Sequence, residues 1–417
     1  MDFFMELFKI RLICPHFIYI PNFWFLNLLG DKVIPMNQQS ESIVVACGEL
    51  SGEMYAAELV TSIKHQRPEL QFYGMGSDTL KRAGVEIVVD TKQLSLIGVL
   101  ELITKFPKII AAFFTLRRLI RRQKPALIIL VDYPGFNLLL AGSAKKMGVK
   151  VFYYISPKVW AWNTRRIRRI KKYVDTMAVI FPFEVEFYQK HDVNAVFVGN
   201  PLLKLVENYP SPKLSLKNLS EAPNQEIVTI GLFPGSRSGE IRRLLPVMLA
   251  AVNLLQSRYP KLQVYLAKAS SIAPQEITKY LSIFPLPVTI MATSHEVIQR
   301  SDLILAASGT ATLEITLMQV PLVILYKLSW WEYQLAKRLI KIPHVGLCNI
   351  LAGRMIVPEL LQQEASPAKL AETAARIIDN PQYRQEMLAA MQQVKTSLTD
   401  TPALNCANLV LTMLRSY

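Results

Sequence analysis

Residues 43–63 read IVVACGELSGEMYAAELVTSI, which is a short apolar run, a glycine-containing turn and then a helical stretch. The same alternation of apolar runs and helical stretches continues through the first half of the chain, and it is typical of a parallel α/β sheet. The strand-like runs of this half are Ile43–Ala46, Ala126–Val131, Val151–Tyr154, Thr176–Ile180 and Ala195–Val198. The pattern predicts a Rossmann-like, doubly wound domain.

A polar stretch at about Glu207–Gln225 interrupts this rhythm and is interpreted as a linker. The strand-like runs that follow it are Ile227–Phe233, Gln263–Ala267, Val288–Met291, Asp302–Ala306 and Val320–Tyr326. We therefore predict two α/β domains facing across a cleft, with ligands at the carboxyl ends of their strands. The predicted divisions are an extension 1–37, a first domain 38–206, a linker 207–225, a second domain 226–366 and C-terminal helices 367–417. Whether these helices pack back on the first domain stays open.

The composition excludes several classes of protein. With 417 residues and 51% hydrophobic side chains, the chain is long enough for two domains and too apolar to be largely disordered. The net charge is +15, yet charged residues make up only 19% of the chain. Nucleic-acid binders are usually denser in Lys and Arg and carry a recognisable module, so we expect no nucleic-acid partner. A basic but apolar chain fits a membrane surface or a phosphorylated ligand better.

The cysteines and histidines predict neither a metal site nor a disulfide. Cys14, Cys47, Cys348 and Cys406 lack the spacing of metal ligands or of a disulfide framework, and the five histidines are dispersed. We therefore expect no metal and a reducing compartment.

Residues 1–35 are rich in Phe, Leu and Ile, but they contain internal charges and are broken by Pro15 and Pro21. The uncharged stretch is shorter than the roughly 20 apolar residues of a spanning helix, and no small-residue cleavage site follows it. Two interpretations stay open. Met36 is the true start, or the segment is an interfacial anchor.

The turn after the first strand-like run is Gly48-Glu49-Leu50-Ser51-Gly52-Glu53, which lacks the spacing of a dinucleotide-binding motif. Ser51 is either a helix cap or, with Gly52, part of a substrate site. Glu49 occupies a position from which a carboxylate would face the cleft.

A second motif of this half, LVDYPGFN, spans residues 130–137 and places Asp132 at the end of an apolar strand, with Asn137, a candidate substrate-binding residue, shortly after it. A partly desolvated carboxylate has a raised proton affinity and can serve as a general base. We predict that Asp132 and Glu49 form an acid/base pair. The alternative for Asp132 is a helix cap.

Two motifs of the second half, FPGSR at 233–237 and ASGTATLE at 307–314, also lie between a strand and a helix. Backbone N–H groups at a helix start bind phosphate, small residues let it approach, and arginine adds a fork of donors. They predict a diphosphate site with a carboxylate for ribose hydroxyls, although either turn alone is also an ordinary helix start. The candidate ligands are Arg237, Ser308, Gly309, Thr310 and Glu314.

The apolar stretch 97–114 runs directly into Arg117-Arg118 and Arg121-Arg122, and a second basic run spans 165–172. Buried core accounts for part of such a stretch. An interfacial helix on anionic lipid is the interpretation that we favour.

From about Ile43 onward the chain resembles the lipid-A-disaccharide synthase family, whose members are GT-B-fold glycosyltransferases. The motifs that carry the resemblance are GELSGE at 48–53, YISPKVWAW at 154–162, FPFE at 181–184, PGSR at 234–237, ASGTATLE at 307–314, NILAGR at 349–354 and VPELLQ at 357–362. The motif SPKVWAW is specific to this family, whereas the SGT and PGSR turns occur in other GT-B enzymes.

The resemblance implies an inverting reaction in which UDP-2,3-diacylglucosamine and 2,3-diacylglucosamine 1-phosphate (lipid X) give a β-1′,6-linked disaccharide 1-phosphate and UDP. It implies an acceptor-binding first domain, a UDP-sugar-binding second domain and no cofactor or metal. Asp132 would be the base and Glu49 would orient the acceptor, while Asn349 and Gln362 would line the nucleotide side. The implied location is peripheral, on the cytoplasmic face of the inner membrane. The oligomeric state, a homo-oligomer included, stays open.

The chain departs from the family pattern in two places, since Asn200 stands where a histidine is common and Cys348 where a proline is usual. Two other functions stay open. A UDP-N-acetylglucosamine 2-epimerase would share the fold and the nucleotide half, and a lipid-binding protein would share the apolar flank.

Overall fold

The computed structural model describes residues 41–48, 50–91, 99–162, 166–210, 212, 227–284, 286–329, 332–334, 338, 343–399, 401 and 404–415. The chain forms two compact units, one of Met1–Gly199 with Pro402–Tyr417 and the other of Asn200–Thr401. These limits differ from the sequence-based boundaries at 206 and 366, which stay predictions about domains. The extension 1–37 and most of the linker 207–225 lie outside the described residues.

The first unit is built on a seven-stranded parallel sheet of order β3-β2-β1-β4-β5-β6-β7. Its strands are β1 (Ser42–Cys47), β2 (Gln71–Gly76), β3 (Val85–Asp90), β4 (Leu127–Val131), β5 (Lys150–Tyr154), β6 (Thr176–Val179) and β7 (Ala195–Phe197). Its helices are α1 (Leu50–Gln66), α2 (Asp78–Arg82), α3 (Val99–Gln123), α4 (Pro134–Lys146), α5 (Val159–Trp162), α6 (Ile167–Tyr173), α7 (Pro182–Gln189) and, from the chain's far end, α16 (Cys406–Arg415).

The second unit repeats the plan with a six-stranded parallel sheet of order β10-β9-β8-β11-β12-β13. Its strands are β8 (Thr229–Phe233), β9 (Gln263–Ala267), β10 (Val288–Met291), β11 (Leu303–Ala307), β12 (Leu322–Tyr326) and β13 (Glu359–Leu361). Its helices are α8 (Pro201–Glu207), α9 (Ser238–Gln256), α10 (Pro274–Leu281), α11 (Ser294–Arg300), α12 (Thr310–Leu317), α13 (Leu347–Ala352), α14 (Pro367–Asp379) and α15 (Pro381–Thr399).

Both sheets have the strand order of doubly wound nucleotide-binding folds, so the predicted fold class is confirmed. The central strands are apolar on both faces because helices cover both sides of a parallel sheet. Every residue of β1 and of β4 is buried. The ten strand-like runs of the sequence correspond to ten of these strands, whereas β2, β3 and β13 were not predicted.

The C-terminal helix α16 belongs to the core of the first unit. Ala407, Val410, Leu411 and Leu414 pack in the same buried cluster as residues of β1 and α1. Asn408 and the Met413 carbonyl accept hydrogen bonds from Gln66 at 3.2 Å and from Lys150 at 2.9 Å. The last helix therefore completes the layer that covers one face of the first sheet.

Within the described parts of the chain, none of the helices combines the length and the apolar composition that crossing a bilayer requires.

Candidate functional site

In each sheet the chain reverses its direction of strand addition at one place, between β1 and β4 in the first unit and between β8 and β11 in the second. Ligands of doubly wound folds bind at such points, beyond the carboxyl ends of the strands. All four motifs singled out from the sequence follow these four strands. The structure therefore brings each pair of motifs together at one sheet edge.

At the edge of the first unit, Cys47 of β1 pairs with Val131 of β4, so the turns that follow them are neighbours. A Cβ atom on Gly48 would lie 2.2 Å from Cγ of Tyr133, and one on Gly52 would lie 3.8 Å from Cβ of Asp132. The glycines thus allow the two turns to touch. Glu49 and the Leu50 and Ser51 side chains lie outside the described residues.

Asp132 is half-buried, and its main chain is held on three sides. Its N–H donates to the Tyr154 carbonyl at 3.3 Å, while its own carbonyl accepts from the Tyr153 hydroxyl at 2.6 Å and from Asn137 Nδ2 at 2.7 Å. Asp132 and Tyr133 both have φ near +46°, and Ile155 on the adjacent strand end has φ +62°. Non-glycine residues in the left-handed region gather where a surrounding framework imposes them, often at active sites. This makes Asp132 the best-defined candidate for chemistry in the first unit.

Asn137 is fully buried. Its Nδ2 donates to the carbonyls of Val131 at 3.1 Å and of Ala46 at 3.3 Å, besides that of Asp132. Through Nδ2 the side chain joins the ends of β1 and β4, and its part in substrate binding stays a prediction.

Glu53, the last residue of the first motif, caps another helix. It is buried, and its Oε1 accepts hydrogen bonds from the N–H of Ser77 at 2.6 Å, the Ser77 hydroxyl at 2.8 Å and the N–H of Leu80 at 3.2 Å. It satisfies the first N–H groups of α2, which have no partner inside the helix.

A second carboxylate at this edge, Glu184, was not predicted as a functional residue. It is 1% exposed and accepts hydrogen bonds from Ser156 Oγ at 2.6 Å and from Trp160 Nε1 at 3.0 Å. Its other oxygen accepts from the Phe181 N–H at 3.2 Å. Burial raises its pKa to about 7, against the opposing effect of these hydrogen bonds. Two sequence signals bear on it: Pro182 followed two residues later by Glu184 is typical of a helix start, and Glu184 closes the FPFE motif at 181–184.

In the second unit, the backbone of the PGSR turn differs from the expected phosphate cradle. Oε2 of Glu240 accepts the N–H groups of Ser236 at 2.9 Å and of Arg237 at 3.3 Å, so these donors are already bonded. Gly235 has φ +113°, and a Cβ there would lie 2.4 Å from the same carboxylate oxygen. The Arg237 side chain is 64% exposed and 3.8 Å from Glu240. What the turn offers a ligand is the guanidinium of Arg237.

The second turn of this unit stays open to a ligand. Ser308 is anchored by its N–H to the Leu325 carbonyl at 3.0 Å and by its hydroxyl to the Val345 carbonyl at 2.8 Å. Gly309 and Thr310, at the start of α12, are exposed, and no atom of the described residues lies within 4 Å of a Cβ built on Gly309. The N-terminus of a helix favours anions, so this turn can accept a phosphate.

Glu314, one turn further into α12, lies beside a histidine that sequence reasoning missed. Its Oε1 is 2.8 Å from Nε2 of His295, and the two side chains are 12% and 14% exposed. The two atoms are at contact distance without hydrogen-bond geometry. Tyr209 stacks on the His295 ring at 3.7 Å between centroids. The carboxylate expected to bind ribose thus has a partner that helps to fix its direction.

Asn349 is fully buried, and its side chain is saturated with internal hydrogen bonds. Oδ1 accepts from the N–H groups of Ile356 at 2.7 Å and Val357 at 3.0 Å. Nδ2 donates to the Val357 carbonyl at 2.9 Å and to Oε1 of Glu359 at 2.7 Å. Asn349 holds the loop between α13 and β13 together, and its place on the nucleotide side stays a prediction.

Gln362 has φ +50° at the carboxyl end of β13. Its Oε1 accepts the Leu328 N–H at 3.2 Å, while its Nε2 is buried without a hydrogen-bond partner among the described residues. An unpaired buried donor at a sheet edge is available to a ligand or to water.

Asn200 caps α8, since its Oδ1 accepts the Leu202 N–H at 3.0 Å. In α3, the described apolar residues of the stretch expected at a membrane divide between the core and the surface, since Phe106, Ile109 and Ile110 are partly exposed. Phe113 and Leu116 are buried, whereas Phe114 is 45% exposed. The side chains of residues 99–105 lie outside the description.

Among the residues that the structure describes, no three His, Cys, Asp or Glu side chains are grouped so that they could hold a metal ion.

Comparison with known proteins shows which family the chain resembles. Residues 43–410 match the family model for lipid-A-disaccharide synthetase. The chain is 43% identical over 360 residues to the lipid-A-disaccharide synthase of Geobacter metallireducens, which covers 86% of this chain and 93% of that protein.

Solved structures with the same fold are distant in sequence. The UDP-GlcNAc 2-epimerase from Neisseria meningitidis, solved bound to UDP-GlcNAc, aligns with a TM-score of 0.55 and 11% identity, over 90% of this chain and all (100%) of that one. The calicheamicin glycosyltransferase CalG4 aligns with a TM-score of 0.54 and 15% identity, over 90% and 99%. The fold is thus of the GT-B type, and it is shared by epimerases and transferases alike.

Proposed function

The chain belongs to the lipid-A-disaccharide synthase family, a family of glycosyltransferases, and we propose that it transfers diacylglucosamine from UDP-2,3-diacylglucosamine to the 6-hydroxyl of lipid X. The products are the β-1′,6-linked disaccharide 1-phosphate and UDP. Besides the family, the observation that carries this proposal is Asp132, held with φ +46° beyond the end of β4. A carboxylate there can take the proton of an acceptor hydroxyl.

In the proposed reaction the acceptor oxygen attacks the anomeric carbon of the donor as the bond from that carbon to the diphosphate breaks. The hydroxyl proton passes to the Asp132 carboxylate, and the electron pair of the broken bond leaves with UDP. Attack from the face opposite the leaving group inverts the α-linked donor to a β-linkage. The main-chain bonds to Tyr153 and Asn137 fix the Asp132 backbone, which limits the directions its side chain can take. Glu49 would orient the acceptor or share the proton.

The second unit supplies the groups for the nucleotide. The exposed guanidinium of Arg237 and the open helix start at Gly309 and Thr310 offer positive charge and donors to the diphosphate. They would stabilise the charge that develops on the leaving group. Glu314 would accept the ribose hydroxyls, and the unpaired Nε2 of Gln362 would donate to the nucleotide.

We propose that this reaction takes place at a membrane surface, on the cytoplasmic face of the inner membrane, because both substrates carry acyl chains. Arg118, Arg121 and Arg122 are exposed at the end of α3, near the exposed ring of Phe114 in sequence. Anionic lipid attracts such residues, and salt weakens the attraction. The protein should therefore sediment with phosphatidylglycerol vesicles at low salt and much less at 1 M salt. Equal sedimentation with neutral vesicles would contradict an electrostatic contribution.

The transfer itself is tested by measuring UDP release from UDP-2,3-diacylglucosamine in detergent, with and without lipid X, in excess EDTA. Release that requires lipid X and survives EDTA supports transfer without a metal. Release without lipid X would favour an epimerase-like or hydrolytic reaction.

The base is tested with Asp132→Asn, which we expect to lower kcat by about 100-fold or more, as loss of a general base does. Its affinity for UDP should be unchanged. Asp192→Asn is the matched control, because Asp192 is 81% exposed and pairs with Lys171 in the same unit. Turnover of Asp132→Asn at the wild-type rate would eliminate Asp132 as the base.

A further inference from the structure

The buried carboxylate of Glu184 joins two separate loops. Oε1 accepts hydrogen bonds from Ser156 and Trp160, which follow β5, and Oε2 accepts from Phe181, which follows β6. Tyr188, one turn further along α7, donates its hydroxyl to the Pro157 carbonyl at 3.1 Å. The loop 156–160 is thus attached to α7 at three points.

Burying the Glu184 carboxylate destabilises the fold more than an ordinary, exposed helix cap would. Glu184 is 1% exposed, and burial is the dominant influence on its pKa, with neutral hydrogen-bond donors as the opposing influences. Among the described residues its hydrogen-bond donors are all neutral, and a buried carboxylate held only by neutral donors is destabilising unless each hydrogen bond is well made. An exposed Glu at the same helix position would cap α7 without that cost. Capping α7 therefore does not by itself account for the buried location, and the hydrogen bonds from Ser156 and Trp160 are what the burial adds.

The hydrogen bond from Trp160 to Glu184 fixes the position of an aromatic surface. Trp160 meets Phe183 edge-to-face with 5.1 Å between ring centroids, and Phe183 stacks on Phe181 at 5.9 Å. Trp160 and Phe183 are both half-exposed, whereas Phe181 is buried. Because the indole N–H is already bonded to Glu184, the exposed part of the Trp160 ring is carbon. Such a surface suits an apolar ligand and has no donor for a sugar hydroxyl.

The aromatic pair lies at the same sheet edge as the candidate base. Tyr154 at the end of β5 pairs with Val131 of β4 on one side and with Ala178 of β6 on the other. Adjacent strands are about 4.8 Å apart, so the loops after β4, β5 and β6 are neighbours. An acceptor whose hydroxyl reaches Asp132 would bring its other groups towards these loops.

We infer that Trp160 and Phe183 form a wall that packs against the acyl chains of the acceptor, and that Glu184 is the positioning residue that holds this wall in place. The inference rests on the proposed transfer to an acylated acceptor. It assigns the aromatic motif after β5 a role in acceptor binding, and it predicts no effect on the nucleotide, which the second unit would bind.

The test compares Trp160→Ala, Trp160→Phe and Glu184→Gln with wild type. The matched control is Glu186→Gln, two residues along the same helix, where the carboxylate is 74% exposed and pairs with Lys190. Calorimetry in detergent gives the Kd for lipid X, for glucosamine 1-phosphate and for UDP, and turnover gives KM and kcat. Trp160→Phe keeps an aromatic ring but removes the N–H that donates to Glu184. If Glu184→Gln fails to fold, this variant still tests the hydrogen bond separately from the ring.

We expect Trp160→Ala to raise the Kd for lipid X by about tenfold or more, and Trp160→Phe and Glu184→Gln to raise it by about three- to tenfold. The Kd for UDP should stay within twofold of wild type, and Glu186→Gln should match wild type throughout. An equal loss of affinity for glucosamine 1-phosphate would overturn the acyl-chain assignment. If Glu184→Gln has a lower melting temperature but an unchanged Kd for lipid X, Glu184 acts only as a helix cap, and the inference is overturned. A wild-type protein that binds lipid X in this way but transfers no sugar would refute the proposed function alone.

Discussion

Replacing Asn349 by aspartate changes one NH2 group into an oxygen and keeps the shape of the side chain. In the structure this NH2 donates to the Val357 carbonyl at 2.9 Å and to Oε1 of Glu359 at 2.7 Å. Asn349→Asp therefore turns two hydrogen bonds into two contacts between acceptors. The bonds that Oδ1 accepts from Ile356 and Val357 stay possible, so the change isolates the donor side of the residue.

The expected loss follows from these two bonds. A hydrogen bond to a neutral carbonyl contributes about 1 kcal/mol and one to a charged group about 1.5–3 kcal/mol, so Asn349→Asp should destabilise the second unit by about 3 kcal/mol. Repulsion from Glu359 adds to this loss at high pH and raises the pKa of the new carboxyl above its value of about 3.9 in the unfolded chain. The ionised form is then disfavoured in the folded state. Stability should recover as the pH falls through the raised pKa, because the protonated acid can donate to Glu359.

The assay is urea unfolding at pH 8 and pH 5, with Asn380→Asp as the control. Asn380 is exposed at the start of α15 and accepts the Tyr383 N–H at 2.9 Å through Oδ1, a role that aspartate fills equally well. The urea midpoint of Asn349→Asp should be lower than that of wild type at pH 8. The difference between the two midpoints should be smaller at pH 5. If Asn349→Asp has the same unfolding midpoint as wild type at pH 8 but binds UDP more weakly, this reasoning is refuted. Asn349 would then contact the nucleotide, as the sequence predicts.

Three further changes probe other parts of the two units. Burial raises the pKa of Glu184 to about 7 from 4.5, so the fold should lose up to about 3 kcal/mol as the pH rises from about 4.5 through 7. Urea midpoints of Glu184→Gln should lack this slope, and an identical slope would show that other groups cause it. Gly48→Ala places a Cβ 2.2 Å from Cγ of Tyr133, which should cost about 1–3 kcal/mol and lower turnover; unchanged thermal unfolding would contradict the close approach. His295→Ala removes the ring that contacts Glu314 and should raise the Kd for UDP about three- to tenfold in calorimetry, because a freer carboxylate must be ordered when UDP binds. Unaltered affinity would mean that Glu314 needs no orienting group.

The sequence predicts the central strands well and the outer strands poorly, for a physical reason. β1 and β4 are buried along their whole length and appear as unbroken apolar runs. β2 carries two glycines, and a Cβ on Gly74 would lie 1.9 Å from the Val45 carbonyl oxygen, so close strand packing selects a residue that weakens the strand signal. β13 has only three residues, too few for a period to show.

The positions of the motifs could be predicted, because a strand followed by a glycine-rich turn marks a sheet edge. The partners of the side chains could not. Glu240 is an exception, because it stands three residues after Arg237 with the spacing of a capping box and accepts the N–H groups of the PGSR turn. Glu184 meets Ser156 and Trp160 across 28 and 24 residues of chain, a contact that only the folded sheet creates.

The place of α16 has a consequence for how the protein folds during its synthesis. The first unit draws its core from residues 42–199 and from α16, with the whole second unit, Asn200–Thr401, made in between. While the ribosome is producing the second unit, the surface that will receive Val410, Leu411 and Leu414 remains uncovered. At about 5–20 residues per second, the roughly 200 intervening residues take about 10–40 s to make. The nascent first unit therefore presents an apolar face for that whole interval, and a chaperone that binds such faces has time to engage it before the last helix arrives.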